Sequence, residues 1–343
     1  MKYVQVVHKI TQPMKEALDE TPRRGGLYNW IFAFKGSIMS YKEIMDNLED
    51  YDVVQINMAP ADIIIAPLVA EKLKNSSTKL VLNNDYVVEC WDMFRTHPYE
   101  YYTALRNADM MFGTVPVQAS AMGNGAFTFS HPHFVDFLKH YGNRRDKDGV
   151  SNRIGYLMHQ WEGKTYLPSL ILHRLREERM EFTSVIYNYD KRKDLSARWA
   201  RCMWDAFIPP LTYPDFVKEV SKDKLLLELC QYQTYGRTPV DFASLELPIV
   251  GSDRVESMRR LFPNMCCNPI DVRKLMNLIK RVLNDEEWLD EQMKYAYNKV
   301  DYYNYKNSTK RYKIALEMAE DNKNKHPKGY YVWNDTKKEF ELR

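Results

Sequence analysis

An alternation that runs, breaks once and starts again is what most limits the fold open to this 343-residue chain. Met1 to Val7, Val53-Val54-Gln55-Ile56, Lys79-Leu80-Val81-Leu82, Met110-Met111-Phe112 and Phe127-Thr128-Phe129 are short, apolar and β-rich. Between them lie stretches with helical spacing, such as Ile38, Tyr41, Ile44, Met45 and Leu48, and then Ala61 to Lys74. Strand, helix and strand in repetition imply parallel pairing with helices on both faces of a sheet. The polar run Asn143 to Arg153 interrupts the rhythm and reads as a linker. The alternation then resumes with strands at Ile154–Met158, Phe182–Ile186, Leu225–Leu229 and Pro248–Gly251. Helical segments fall near 165–180, 212–220, 237–246, 253–261 and 271–284. The expected architecture is therefore α/β, with two doubly wound, Rossmann-like domains at 1–148 and 149–320 and a tail at 321–343. Ligands of such open sheets bind at the carboxyl ends of the strands, and with two halves the cleft between them is the expected site.

Charge and length exclude several alternatives. Lys and Arg number 49 against 46 Asp and Glu, a net charge of +3, so no broad electrostatic footprint for nucleic acid exists, although a local patch stays possible in principle. No apolar run of about 18 residues is present, which argues against a membrane-spanning helix and leaves only peripheral membrane contact. The N-terminus reads as a first strand and not as a signal peptide. Five scattered cysteines without a C-x-x-C pair suggest reduced thiols in a cytoplasmic protein. From Asp285 to Lys325 the chain is helical in composition and rich in Tyr and Lys. Its tyrosines could form a base-stacking surface, but packing of an amphipathic helix pair against the domains is the favoured reading. Lys328 to Arg343 is either an appended strand or a tail.

The most informative segment is Gln233-Thr234-Tyr235-Gly236-Arg237-Thr238-Pro239-Val240-Asp241, followed by Leu247-Pro248-Ile249-Val250. It reads as a loop turning at a glycine, then a short helix, then a strand. Gly236 leaves room for a ligand to approach the backbone. The amides of Arg237 and Thr238 fall at a helix N-terminus, where a diphosphate is favoured. Asp241, on the second turn, can accept hydrogen bonds from sugar hydroxyls.

This segment resembles the C-terminal domain of GT-B glycosyltransferases, most closely those of family 4, whose signature is E-x7-E followed by a glycine-bearing x-P-V-V strand. Gln233 stands at the first glutamate, Tyr235-Gly236 at the F-G, Asp241 at the second glutamate and Leu247 to Val250 at the strand. The resemblance implies that Gln233 lies near the transferred sugar and that Asp241 binds the ribose of the nucleotide. Ile154 to Lys164 is similar to the family's first strand of that domain, which ends in an Arg and a Lys, five residues apart, gripping the donor diphosphate. Lys164 matches the lysine and His159 takes the arginine's place. Cations are needed there because the leaving diphosphate gains negative charge.

Arg23-Arg24-Gly25-Gly26 is similar to the family's glycine-rich loop facing the donor phosphates, which makes Gly25 and Gly26 donor-binding candidates. Asn107 to Thr114 and Ser130 to Phe137 look like two further family stretches in the right order. Asp85, just after a strand, is the candidate acceptor-side carboxylate, with a helix N-cap as its other reading. Glu89 to Asp92 is a candidate lining of the acceptor pocket. His131 and His133 flank Pro132 without a third metal ligand, so they read as cleft or turn residues.

The resemblance thus implies a glycosyltransferase, retaining and metal-independent, with no cofactor beyond a UDP- or GDP-sugar as co-substrate and a saccharide hydroxyl as acceptor. One alternative transfers the sugar to a hydroxylated base in DNA, as some phage enzymes do. Another is a catalytically lapsed GT-B protein that still binds sugar nucleotide, suggested by Gln233 and His159. A sugar-nucleotide epimerase is the third, distinguished by needing no acceptor.

Overall fold

The structure is a computed structural model that describes residues 1–11, 14, 28–85, 96–141, 152–158, 167–188, 204–209, 211–322, 325 and 327–343. The strands in chain order are β1 (Tyr3–Val7), β2 (Ser37–Ser40), β3 (Val53–Asn57), β4 (Lys79–Asn84), β5 (Met110–Gly113) and β6 (Phe127–Thr128). They continue as β7 (Arg153–Met158), β8 (Thr183–Asn188), β9 (Ala206–Ile208), β10 (Leu225–Glu228), β11 (Ile249–Ser252) and β12 (Cys266–Cys267), and finish with β13 (Tyr331–Asn334) and β14 (Glu339–Leu342). The helices that support the core and the sites are α1 (Asn29–Phe34), α2 (Pro116–Met122), α3 (Tyr213–Val220), α4 (Thr238–Leu245), α5 (Glu256–Leu261) and α6 (Tyr305–Asn322).

The described residues form an eight-stranded and a six-stranded sheet, each within its own compact unit. The first runs β14-β13-β6-β5-β4-β3-β1-β2, parallel throughout except for the antiparallel hairpin of β13 and β14. Its inner strands are buried on both faces and mostly apolar, with Gln5, Gln55, Asn57, Asn83 and Asn84 as buried polar exceptions. Val4, Val6, Val54, Ile56, Leu80 and Leu82 pack on one side. Tyr3, Val53, Val81, Met110, Phe112 and Phe127 alternate with them to pack on the other.

The C-terminus belongs to this first unit, which comprises Met1–Phe134 with Tyr302–Arg343, while Val135–Asp301 forms the second. These divisions differ from the boundaries expected at 148 and 320. The reason is aromatic packing. Tyr312 of α6 is fully buried, its ring 4.9 Å from Trp30 and 5.0 Å from Phe34, and its hydroxyl donates to Gln55 Oε1 at 3.1 Å. Tyr331 of β13 stacks on Phe127 of β6 at 4.9 Å. The last residues are thus a strand pair, one of the two readings the sequence allows, and Tyr303 and Tyr312 are core residues while Tyr295 stays 42% exposed. A second difference lies at β2, because helical spacing groups Ile38 with a helix and the structure places it in a strand. Gly36 lets this edge strand approach β1 closely, since a Cβ there would lie 2.5 Å from the Tyr3 carbonyl oxygen.

The second unit orders its strands β12-β11-β10-β7-β8-β9, all parallel. At the amino end of β7, Arg153 is held in a largely buried network. Its Nε lies 2.8 Å from Asp223 Oδ1 and its guanidinium 3.0 Å from Glu219, and it donates to the Tyr187 hydroxyl at 2.8 Å. Burial and then the Asp223 charge push the Tyr187 hydroxyl well up, so it keeps its proton and donates to Asp223 Oδ2 at 2.6 Å. Gly155 makes the network possible, because a Cβ there would come within 2.3 Å of that same oxygen. Among the described residues no helix is long and apolar enough to cross a membrane.

Removing one partner of a buried hydrogen bond leaves the other group unsatisfied. Asp223→Ala leaves Arg153 with Glu219 but takes the acceptor from the buried Tyr187 hydroxyl, and is expected to lower the unfolding free energy by about 1–3 kcal/mol, read from urea denaturation. A loss below about 1 kcal/mol would mean that water replaces the carboxylate.

Candidate functional site

Counted from its own first strand, the second unit has the doubly wound order 3-2-1-4-5-6, with β7 first and β10 fourth. Strands one and four of such a sheet are where crossovers change direction, and the splayed loops at their carboxyl ends leave a crevice for ligands. β7 and β10 are direct neighbours, with Tyr156 opposite Leu227. The Gln233–Asp241 motif follows β10 and ends in α4.

That segment is stitched to the chain entering α5. Thr234 N–H donates to the Arg254 carbonyl at 3.3 Å, Glu256 N–H to the Thr234 carbonyl at 2.9 Å and Ser257 N–H to the Tyr235 carbonyl at 3.0 Å. The Ser257 hydroxyl donates to the Gly236 carbonyl at 2.6 Å. Gly236 has φ +78°, a left-handed conformation that disfavours any side chain, and a Cβ there would lie 2.2 Å from Val255 Cγ1. On the side where a Cβ would project, the space at Gly236 is filled by Val255. The glycine serves the turn.

α4 begins at Thr238 with Pro239 in its first turn, where a missing N–H costs nothing, and no side chain caps its N-terminus. Arg237, the N-cap residue, is exposed and Gln233 is half-buried. Asp241 is only 8% exposed, and its Oδ1 accepts a 2.8 Å hydrogen bond from the Tyr213 hydroxyl. Tyr213 opens α3, whose N-cap Thr212 accepts from the Asp215 amide at 3.4 Å. His159 and Lys164, which follow β7, lie outside the described residues, as do Gly25, Gly26 and the stretch Glu89 to Asp92.

In the first unit, Asp85 follows β4 at the carboxyl end of the sheet, with its side chain 30% exposed. Thr114, just past β5, brings its hydroxyl 3.2 Å from Asp85 Oδ1. That hydroxyl also lies 2.7 Å from Gln118 Oε1 in the first turn of α2. His131, past β6 and wholly buried, sets Nε2 3.3 Å from Asp85 Oδ1, within ion-pair range but off the line of a hydrogen bond. Its Nδ1 accepts from the Trp30 indole at 2.9 Å. Asp85 is thus a carboxylate approached on one oxygen by Thr114 and His131. His133 is buried too, stacked on Phe134 at 4.3 Å with its amide bonded to the Tyr303 carbonyl.

Sequence reasoning had no way to find Tyr213, Val255 or Ser257, since each acts on a residue far along the chain. His131 carried a weak signal, as a histidine directly after a predicted strand. No protein family model matches the sequence, and no curated protein does either. Solved structures do. One is an alpha-glucosyltransferase in complex with UDP and a 13-mer DNA containing a central A:G mismatch, with TM-score 0.63, 10% identity, and coverage of 92% of this chain and 98% of that one. Another is Anabaena Alr3699/HepE in complex with UDP-glucose, with TM-score 0.67, 10% identity, and 93% and 100% covered. A third is trehalose-6-phosphate synthase, OtsA, with TM-score 0.67, 10% identity, and 93% and 99% covered. At that identity the likeness shows the fold, two Rossmann-like α/β domains of the GT-B class.

Gly236→Ala is expected to cost about 1–2 kcal/mol from its backbone conformation, and more from the Val255 clash. Adding Val255→Ala should recover the second part only. Equal stabilities of wild type and Gly236→Ala in urea would remove the strained turn from this description.

Proposed function

We propose that this protein is a glycosyltransferase that moves a sugar from a nucleoside-diphosphate donor, UDP- or GDP-linked, to an acceptor hydroxyl. The observation that carries this reading is the β10–α4 segment of the second unit, which follows the strand next to β7 at the switch point and leads into a helix whose N-terminus no side chain caps. A helix N-terminus attracts a diphosphate through its unsatisfied amides and its dipole. In this reading the amide of Thr238 and the side chain of Arg237 meet the diphosphate, and Lys164 and His159, from the segment after β7, add cationic or hydrogen-bonding help as the bond to the sugar breaks. Asp241, with one oxygen fixed by Tyr213, anchors the nucleoside through its small exposed part. Gln233 orients the sugar. Asp85 is the acceptor-side carboxylate, and Gly25 and Gly26 border the donor phosphates. Chemistry without a metal and with retention of configuration follows the family 4 pattern in the segments around Lys164 and Asp241.

A thermal-shift panel of nucleoside diphosphates and their sugars tests the donor site. A ligand that binds the native fold at a hundred times its Kd stabilises it by about 2.7 kcal/mol. The expected result is a rise in melting temperature with UDP or GDP and their sugars, and a rate of nucleotide release reduced about a hundredfold by Lys164→Ala. No shift with any member of the panel, or full activity in that variant, would overturn the reading.

A second reading changes the acceptor alone, to a hydroxylated base in DNA. It is supported by the likeness, over nearly the whole of both chains, to a glucosyltransferase solved with DNA. Transfer to duplex DNA carrying such a base, falling steeply between 50 and 200 mM salt by about a thousandfold or more, is the outcome this reading expects. Salt-insensitive transfer to an oligosaccharide would favour the first.

A further inference from the structure

We infer that His131 is a positioning residue for Asp85, held in a single tautomer by the indole of Trp30. The inference rests on the reading of Asp85 as the acceptor-side group and adds the machinery that aims it. Three neighbouring strands supply the parts. Asp85 follows β4, Thr114 follows β5 and His131 follows β6, and these strands are adjacent in the sheet. Trp30 comes from α1, on the aromatic face, where it is fully buried with Phe112, Phe129 and Tyr312 at 5.8, 6.0 and 4.9 Å.

An indole N–H can only donate. Its 2.9 Å contact therefore assigns the lone pair to Nδ1 of His131, and the ring's proton to Nε2, the nitrogen 3.3 Å from Asp85 Oδ1. A proton on Nδ1 would set two N–H groups against each other at 2.9 Å. The carboxylate thus faces a neutral N–H dipole at a fixed angle, not a mobile cation that would neutralise it. Thr114 approaches the same oxygen at 3.2 Å. Both groups crowd Oδ1, the Thr114 hydroxyl with its proton shared with Gln118 Oε1 at 2.7 Å, so that oxygen is the one held against the buried neighbours. Asp85 has its side chain 30% exposed, which leaves Oδ2 to accept a hydrogen bond from an acceptor hydroxyl. Anchoring one oxygen of a carboxylate fixes the direction of the other, which is what positioning a reacting hydroxyl requires.

Nitrogen-15 spectra of the full-length protein labelled at histidine test the inference directly, with His131→Gln assigning the signal. The expected spectrum has Nδ1 unprotonated and Nε2 protonated, a tautomer that persists in Asp85→Asn while the Nε2 shift moves. In Trp30→Phe the fixed tautomer should give way to a mixture. With UDP-glucose as probe, UDP release in Trp30→Phe should fall three- to tenfold in kcat with KM for UDP-glucose unchanged. His131→Gln, which keeps an N–H of similar reach, should retain most of the rate that His131→Leu loses. A ring protonated at Nδ1, or an Nε2 signal indifferent to Asp85→Asn, would overturn the inference. A wild type that releases no UDP counts against the donor reading alone, since the ring signals still decide the role of His131.

Discussion

A parallel sheet covered by helices on both faces has no free face for chemistry. Its backbone is taken up by the ladder and its side chains alternate into two apolar layers, as Val54 and Val53 do on opposite sides of β3. What remains is the carboxyl edge, where strands stop and loops diverge. In the second unit the strand order narrows that edge further, because crossovers leave β7 in opposite directions and open the crevice beside β10. In the first unit the same edge gathers Asp85, Thr114 and His131 from three successive strands. The sites are where the topology leaves room for them.

Several polar groups in this interior work by being fixed. Gly236 reads in the sequence as an opening for a ligand, and Gly155 as one more strand residue. In the fold the side a Cβ would take is filled at both, at Gly155 by the Asp223 carboxylate and at Gly236 by Val255. Tyr187 and Tyr213 each spend their hydroxyl on a carboxylate, Asp223 and Asp241. Such contacts reduce the number of ways a buried carboxylate can point, and in a site that is worth more than the net stability they add.

Most of the regular structure was legible in the sequence because periodicity is local. The helices read near 212–220, 237–246 and 271–284 stand at Tyr213–Val220, Thr238–Leu245 and Val272–Asn284. The strands around Val53, Lys79, Ile154 and Leu225 were equally plain, each built on a short apolar run. β9 and β12 were missed, at three and two residues too short to carry a pattern. The positions of Gln233 and Asp241 on a loop and a helix at the carboxyl edge could be read from the motif. Their supports could not, since Tyr213 is 28 residues from Asp241 and His131 is 101 from Trp30. Spatial partners at such separations leave no trace in spacing. The same limit explains the chain ends, where Tyr312 reaches Gln55 across 257 positions.

That last contact bears on how the protein is made. α6 and the β13–β14 pair complete a unit whose other strands are translated before the whole of the second unit. Until α6 and β13 are translated, β6 is an open edge and the aromatic face of the sheet has no α6 to cover it. The intervening unit, Val135–Asp301, is finished earlier and can fold first, reversing the usual order in which N-terminal domains precede C-terminal ones. For the length of one domain's synthesis the nascent chain carries an unfinished sheet, which is the stage at which chaperones and a slow or fast pace of translation would decide its yield.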